Sequence, residues 1–162
     1  MKYRATIEWA RDRTDFEDGE RSKLHVWRFD NGLSIPATSA PLSTIPLSIQ
    51  AGHINPEEAF VAAVSSSHML CFLKLAAMFG YIVEQYTDMA EGGLSNNSAG
   101  SPWVGRVVLQ PAVYFTGPKV PTDEAVLALH NAAHAECPLA NSVCLVIETE
   151  GVWRHQPSIG TD

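Results

Sequence analysis

The chain has 162 residues, 46% of them hydrophobic, enough to bury most of a core without disulfide or metal staples. Its 18 acidic side chains against 11 basic ones leave a net charge of −7 with no Lys/Arg cluster, which speaks against nucleic acid as a partner. The first residues, Met1-Lys2-Tyr3-Arg4-Ala5-Thr6-Ile7-Glu8, carry charges where a signal peptide would be apolar, and no run approaches the roughly 20 apolar residues of a membrane span, so a cytoplasmic protein with no membrane partner is expected.

From Tyr3 to Trp9 and from Leu24 to Phe29 apolar and polar residues roughly alternate, and the turn signals Asp18-Gly19 and Asp30-Asn31-Gly32 bracket the second run. With Leu33-Ser34-Ile35 following, this predicts an N-terminal β-meander. Pro36 to Ile54, rich in Pro and Ser and without a strong period, predicts a connecting loop. Asn55-Pro56-Glu57-Glu58 then signals a helix start, with Asn as N-cap, Pro at the first helical position and carboxylates where the helix dipole favours them. This helix should run to about Phe79 and stop at Gly80; apolar residues surround most of its circumference, which predicts a central buried helix. Tyr81 to Tyr86 and Trp103 to Phe115 read as strands, separated by a flexible loop at Glu91-Gly92-Gly93-Leu94-Ser95-Asn96-Asn97-Ser98. Pro121-Thr122-Asp123-Glu124 opens a second helix that ends near Cys137-Pro138, and Ser142 to Thr149 is a last, β-branched strand. The order β-β-β-α-β-β-α-β has too few helices for a doubly wound sheet and predicts one α+β domain over residues 1–162.

Three cysteines, Cys71, Cys137 and Cys144, are an odd count without compact spacing, which points to free thiols in a reducing compartment. Cys137 stands out, at a helix-to-strand junction among small and polar residues, where a thiol stays reachable by a second one.

Taken together, the runs Trp9-Ala10-Arg11, Leu24-His25-Val26-Trp27-Arg28-Phe29-Asp30, Asn55-Pro56-Glu57-Glu58-Ala59-Phe60, Ser65-Ser66-Ser67-His68-Met69-Leu70, Tyr86-Thr87-Asp88-Met89-Ala90-Glu91-Gly92 and His134-Ala135-Glu136-Cys137-Pro138-Leu139-Ala140-Asn141-Ser142 come in one order and spacing. In these, over nearly its whole length, the chain resembles the OsmC/Ohr family of thiol-dependent hydroperoxide reductases. The resemblance implies an intertwined homodimer in which each active site draws on both chains, and it implies no cofactor. It also implies a chemistry: a peroxidatic cysteine on the central helix attacks the O–O bond, a resolving cysteine closes a disulfide, and an external dithiol reduces it. A thiol of pKa about 8.5 must first ionise, which a nearby cation favours.

Carried over residue by residue, the resolving cysteine falls on Cys137 and the carboxylate on Glu57, while two positions depart from the family. The peroxidatic cysteine falls on Ser67, whose hydroxyl cannot form a sulfenic acid. The arginine falls on Lys23, which keeps the charge but not the two-pronged donor. Two substitutions point to divergence and to a weakened hydroperoxide reductase. Cys71, four residues after Ser67 and so on nearly the same helical face, is a candidate auxiliary thiol.

Plainer readings stand beside these. Ser67 in a helix ordinarily bonds back to a carbonyl one turn earlier, Cys71 sits among Leu70, Phe72 and Leu73 as a core cysteine would, and Cys144 lies in an apolar strand. Glu57 is explained by the helix dipole, Lys23 as a solvated strand residue and His68 as a hydrogen-bonded core histidine. Adjacent Ser67 and His68 point about 100° apart on a helix, poor geometry for a hydrolase pair. Two further functions remain open: a catalytically silent member binding an apolar small molecule, and a zinc protein using His130, His134 and Cys137 at i, i+4 and i+7.

Overall fold

A computed structural model describes residues 2–11, 23–39 and 52–156. The chain divides into two compact units, Met1–Ala59 and Phe60–Asp162. The Asp18-Gly19 turn and most of the expected loop before Ile54 lie outside the described residues.

In the first unit β1 (Ala5–Glu8), β2 (His25–Phe29) and β3 (Ser34–Ala37) form one antiparallel sheet in chain order. The turn between β2 and β3 is the expected Asp30-Asn31-Gly32: Gly32 has φ +85° and the Asn31 side chain accepts the Leu33 N–H at 3.0 Å. Arg28 on β2 bonds Glu8 on β1 at 2.6 Å.

Helix α1 (Pro56–Met78) starts and stops where its sequence signals stand. Asn55 accepts the Glu57 N–H at 2.8 Å and its own N–H donates to the Glu58 carboxylate at 3.3 Å, so the cap and the first turn satisfy donors in both directions. At the other end Gly80 takes φ +75°, and the Tyr81 N–H closes onto the Ala76 carbonyl at 2.9 Å. One stripe of the helix, Val64, His68, Phe72, Leu75 and Ala76, is buried. The opposite stripe is not: Leu70 is 63% exposed and Met78 70%. Burial of the single chain is therefore one-sided, where composition alone suggested burial all round. An 18-residue window of α1 reaches a mean hydropathy of 1.5, so by length and composition this helix is sufficient to cross a membrane, contrary to the reading from single residues; core helices pass the same test.

In the second unit two mixed sheets follow. β4 (Ile82–Asp88), β7 (Pro111–Thr116) and β9 (Val152–His155) form one; β5 (Glu91–Asn96), β6 (Pro102–Leu109) and β8 (Val146–Thr149) form the other. In each, the outer early strand pairs antiparallel and the late strand parallel. The expected loop at Glu91–Ser98 is thus corrected to strand β5 for most of its length: its glycines permit contact with α1, since a Cβ on Gly92 would lie 2.5 Å from Val61 Cγ2. The expected single strand from Trp103 to Phe115 is two, in different sheets. The break falls at Gln110, whose N–H donates to Asp88 Oδ1 at 2.6 Å. The other oxygen of Asp88 accepts the Ser65 hydroxyl at 2.5 Å, so one carboxylate ties the strand break to α1.

Helix α2 (Asp123–Glu136) is N-capped by Thr122, whose hydroxyl accepts the Ala125 N–H at 3.2 Å. Its buried stripe of Val126, Leu129 and Ala133 joins Phe72, Leu75, Val113 and Phe115 in the main core. The architecture is α+β with a long helix and mixed sheets.

Candidate active site

Cys137 ends α2 and is held by its own motif. The Asn141 side-chain amide donates to the Ala135 carbonyl at 2.9 Å and to the Cys137 carbonyl at 3.0 Å, and Ser142 Oγ donates to the Pro138 carbonyl at 2.7 Å. The chain between them forms a 3-10 turn, Ala140–Ser142, whose first N–H points at Cys137 Sγ at 3.5 Å. The run Cys137-Pro138-Leu139-Ala140-Asn141-Ser142 is therefore a self-bonded turn that fixes one sulfur.

That sulfur meets Ser67 across the two helices: the Cys137 thiol donates to Ser67 Oγ at 3.1 Å. Ser67 does not bond back to its own helix; its neighbour Ser66 does, reaching the Ala62 carbonyl at 2.7 Å. Cys71, one turn further along α1, is partly exposed and packs at the margin of the main core. Burial pushes its pKa up, the neighbouring Cys137 and Glu136 add to this, and the Lys74 ammonium opposes them. Lys74 bonds Glu136 at 3.0 Å, so a second contact joins α1 to the residue just before Cys137. Cys137 is 1% exposed. Cys144, expected in the core, is exposed.

Of the residues singled out in the sequence, Ser67 and Cys137 are thus brought into contact in the second unit, with Cys71 one turn along the same helix. Lys23 and Glu57 belong to the first, where both side chains are exposed and Lys23 offers its carbonyl to the His25 ring at 2.8 Å. Lys74 and Glu136 were missed: a lysine and a glutamate 62 residues apart carry no sequence signal of their pairing.

The three zinc candidates do not converge, because among the described residues no group of three or more His, Cys, Asp or Glu side chains is arranged to hold a metal ion. His130 turns instead to His68, with 3.1 Å between His68 Nε2 and His130 Nδ1 and the rings stacked at 5.4 Å. His134 is exposed and Cys137 faces Ser67. Burial lowers the pKa of His130 to about 4, with the neighbouring His68 adding to the effect. His68 is lowered by burial and by His134, against the pull of Asp88. His68 is the core histidine that its place in the helix suggested.

The site is thus a half-buried serine facing a buried thiol where the long helix meets the second one, in an α+β frame. No protein-family model and no curated protein matches the sequence. Solved structures do. The chain is similar to an OsmC-like protein of unknown function from Vibrio cholerae, with 42% identity, TM-score 0.86, and coverage of 94% of this chain and 99% of that one. It shares its fold with an OsmC-like protein from Mycoplasma pneumoniae, at 16% identity and TM-score 0.71 over 96% of this chain and 99% of that one. The same holds for an organic hydroperoxide resistance protein from Elizabethkingia anophelis, at 19% identity and TM-score 0.62 over 96% and 97%. The chain belongs to the OsmC-like family.

Proposed function

We propose that this protein is a thiol-dependent organic hydroperoxide reductase of the oxidative stress response, slowed because Ser67 stands where the attacking thiol belongs. The observation that carries the reading is the 3.1 Å contact between Cys137 Sγ and Ser67 Oγ. A sulfur in place of that oxygen would face Cys137 directly, as a peroxidatic and resolving pair must. By the same resemblance Lys23 would supply the cation and Glu57 the carboxylate, the whole chain from 1 to 162 would form one OsmC-like domain, and the reductant would be an external dithiol, with no cofactor.

The experiment is restoration. Ser67→Cys, alone and with Lys23→Arg, is expected to raise organic hydroperoxide consumption about tenfold or more over the parent, because a thiol ionises near neutrality and a serine does not. A double variant that folds normally and stays at the parent's rate contradicts the reading.

The exposed stripe of α1 supports a homodimer: Leu70, Met78 and Phe79 offer an apolar face that a second copy would cover. An interface on the order of 2,000 Å² or more is expected. Light scattering at micromolar concentration should return twice the chain mass, and a monomeric mass removes the shared site. A cytoplasmic location fits the free thiols.

A further inference from the structure

Two contacts, both in the second unit, join α1 to the end of α2 in one short patch, Ser67 with Cys137 and Lys74 with Glu136, and Cys71 stands on α1 between them. Only the first lies at the position inherited from the family. The second, together with Cys71, puts a thiol, a cation and a carboxylate one helical turn further along α1, next to the Cys137 end of α2. Positions 67, 71 and 74 are spaced by four and three residues, so all three present to the same side of the helix.

We infer that the reactive centre of this chain has moved one turn along α1: Cys71 is the attacking thiol, Cys137 resolves it, and the Lys74–Glu136 pair tunes the attack. The inference rests on the hydroperoxide reading above and specifies which atoms perform it. Exposure assigns the order of events. Cys137 is 1% exposed and cannot meet a peroxide first, whereas Cys71 reaches the surface.

The steps balance. Ionised Cys71 sulfur attacks the terminal oxygen of an organic hydroperoxide; an S–O bond forms, the O–O bond breaks, and the departing alkoxide takes up the proton that Cys71 released, leaving as alcohol. Cys71 is now a sulfenic acid, oxidised by two electrons, and the peroxide is reduced by two. Cys137 sulfur then attacks Cys71 sulfur; an S–S bond forms, the S–O bond breaks, and hydroxide leaves with the Cys137 proton as water. An external dithiol returns both thiols by exchange and carries away the two electrons as its own disulfide. Ser67 takes no electrons. Its hydroxyl, and the Ala140 N–H, are hydrogen-bonding partners for the Cys137 sulfur as it ionises.

The groups facing Cys71 set its rate against pH. Burial, Cys137 and Glu136 hold its pKa up, and Lys74 pulls it down. The attack is therefore slow near neutrality and rises with pH. Removing Lys74 moves the profile to higher pH, and removing the charge of Glu136 moves it to lower pH. A purely structural ion pair would not shift the profile in opposite directions when its two halves are removed in turn.

The test treats the reduced full chain with one equivalent of tert-butyl hydroperoxide, then maps the thiols by peptide mass spectrometry. A Cys71–Cys137 disulfide reversed by dithiothreitol is expected, with Cys144 still free. In Cys137→Ser, dimedone should label Cys71 as sulfenic acid; in Cys71→Ser, hydroperoxide consumption should fall about tenfold with the melting temperature nearly unchanged. The pH profile of Cys71 alkylation should move up in Lys74→Gln and down in Glu136→Gln. Cys71→Ser consuming hydroperoxide like the parent, or dimedone labelling Cys137 in that variant, overturns the displaced centre while leaving the hydroperoxide reading standing. A parent whose thiols and hydroperoxide are both unchanged overturns the two together.

Discussion

Helices α1 and α2 meet in two polar contacts that differ in kind. At His68 and His130 two rings stack in the core, both almost fully buried, and burial keeps both neutral. About two turns along α2, at Cys137, the contact is made by a thiol, a hydroxyl and an exposed ion pair. Ser67 and His68 are neighbours in sequence, yet one helical step sends one side chain towards the reactive sulfur and the other into the stacked pair. The histidine contact is buried on both sides, whereas the contact at Cys137 joins a buried sulfur to side chains on α1 that reach solvent, Cys71 and Lys74.

The largest effect that would test this division is on packing. Phe72 is fully buried and stacks on His130 with ring centroids 4.4 Å apart. Phe72→Ala should cost about 3–5 kcal/mol in denaturant unfolding. A cost below about 1 kcal/mol would mean that the histidine side of the contact is not the structural one.

The next is pH. The unfolded chain binds a proton at His130 near the ordinary value of about 6.5, the folded chain only near pH 4, so stability is full above about 6.5 and falls as pH drops towards 4. Over the whole window this amounts to about 3 kcal/mol. Denaturation of the parent and of His130→Gln at pH 7 and pH 4.5 isolates it. The variant should lose less stability on acidification, and equal losses would place the acid sensitivity elsewhere.

The smallest concerns the turn that fixes Cys137. Asn141→Ala removes two hydrogen bonds to helix-end carbonyls and should cost about 1–2 kcal/mol while lowering the reactivity of the thiol pair. Full reactivity in this variant would show that the sulfur needs no such support.

Helix ends were the most legible part of the sequence, because Asn55, Pro56 and Gly80 act through local backbone chemistry that a short window contains. The second helix was legible for the same reason at Thr122. β5 was hidden because its glycines signal a loop, while the strand depends on pairing with β6 and close approach to Val61, both remote in sequence. β9 was missed altogether, since Val152–His155 is short and its partner β7 lies about 40 residues earlier. At the site, Ser67 and Cys137 could be found through the family motif. The Lys74–Glu136 pair and the His68–His130 stack could not, because each exists only once the two helices are packed.

The central claim is that the thiol contact between α1 and α2 performs the chemistry. Steady-state organic hydroperoxide consumption, with a dithiol as reductant, should be slow but measurable in the parent and about tenfold lower in Cys137→Ser, where no second sulfur can resolve the oxidised one. Equal rates for the parent and Cys137→Ser would contradict it.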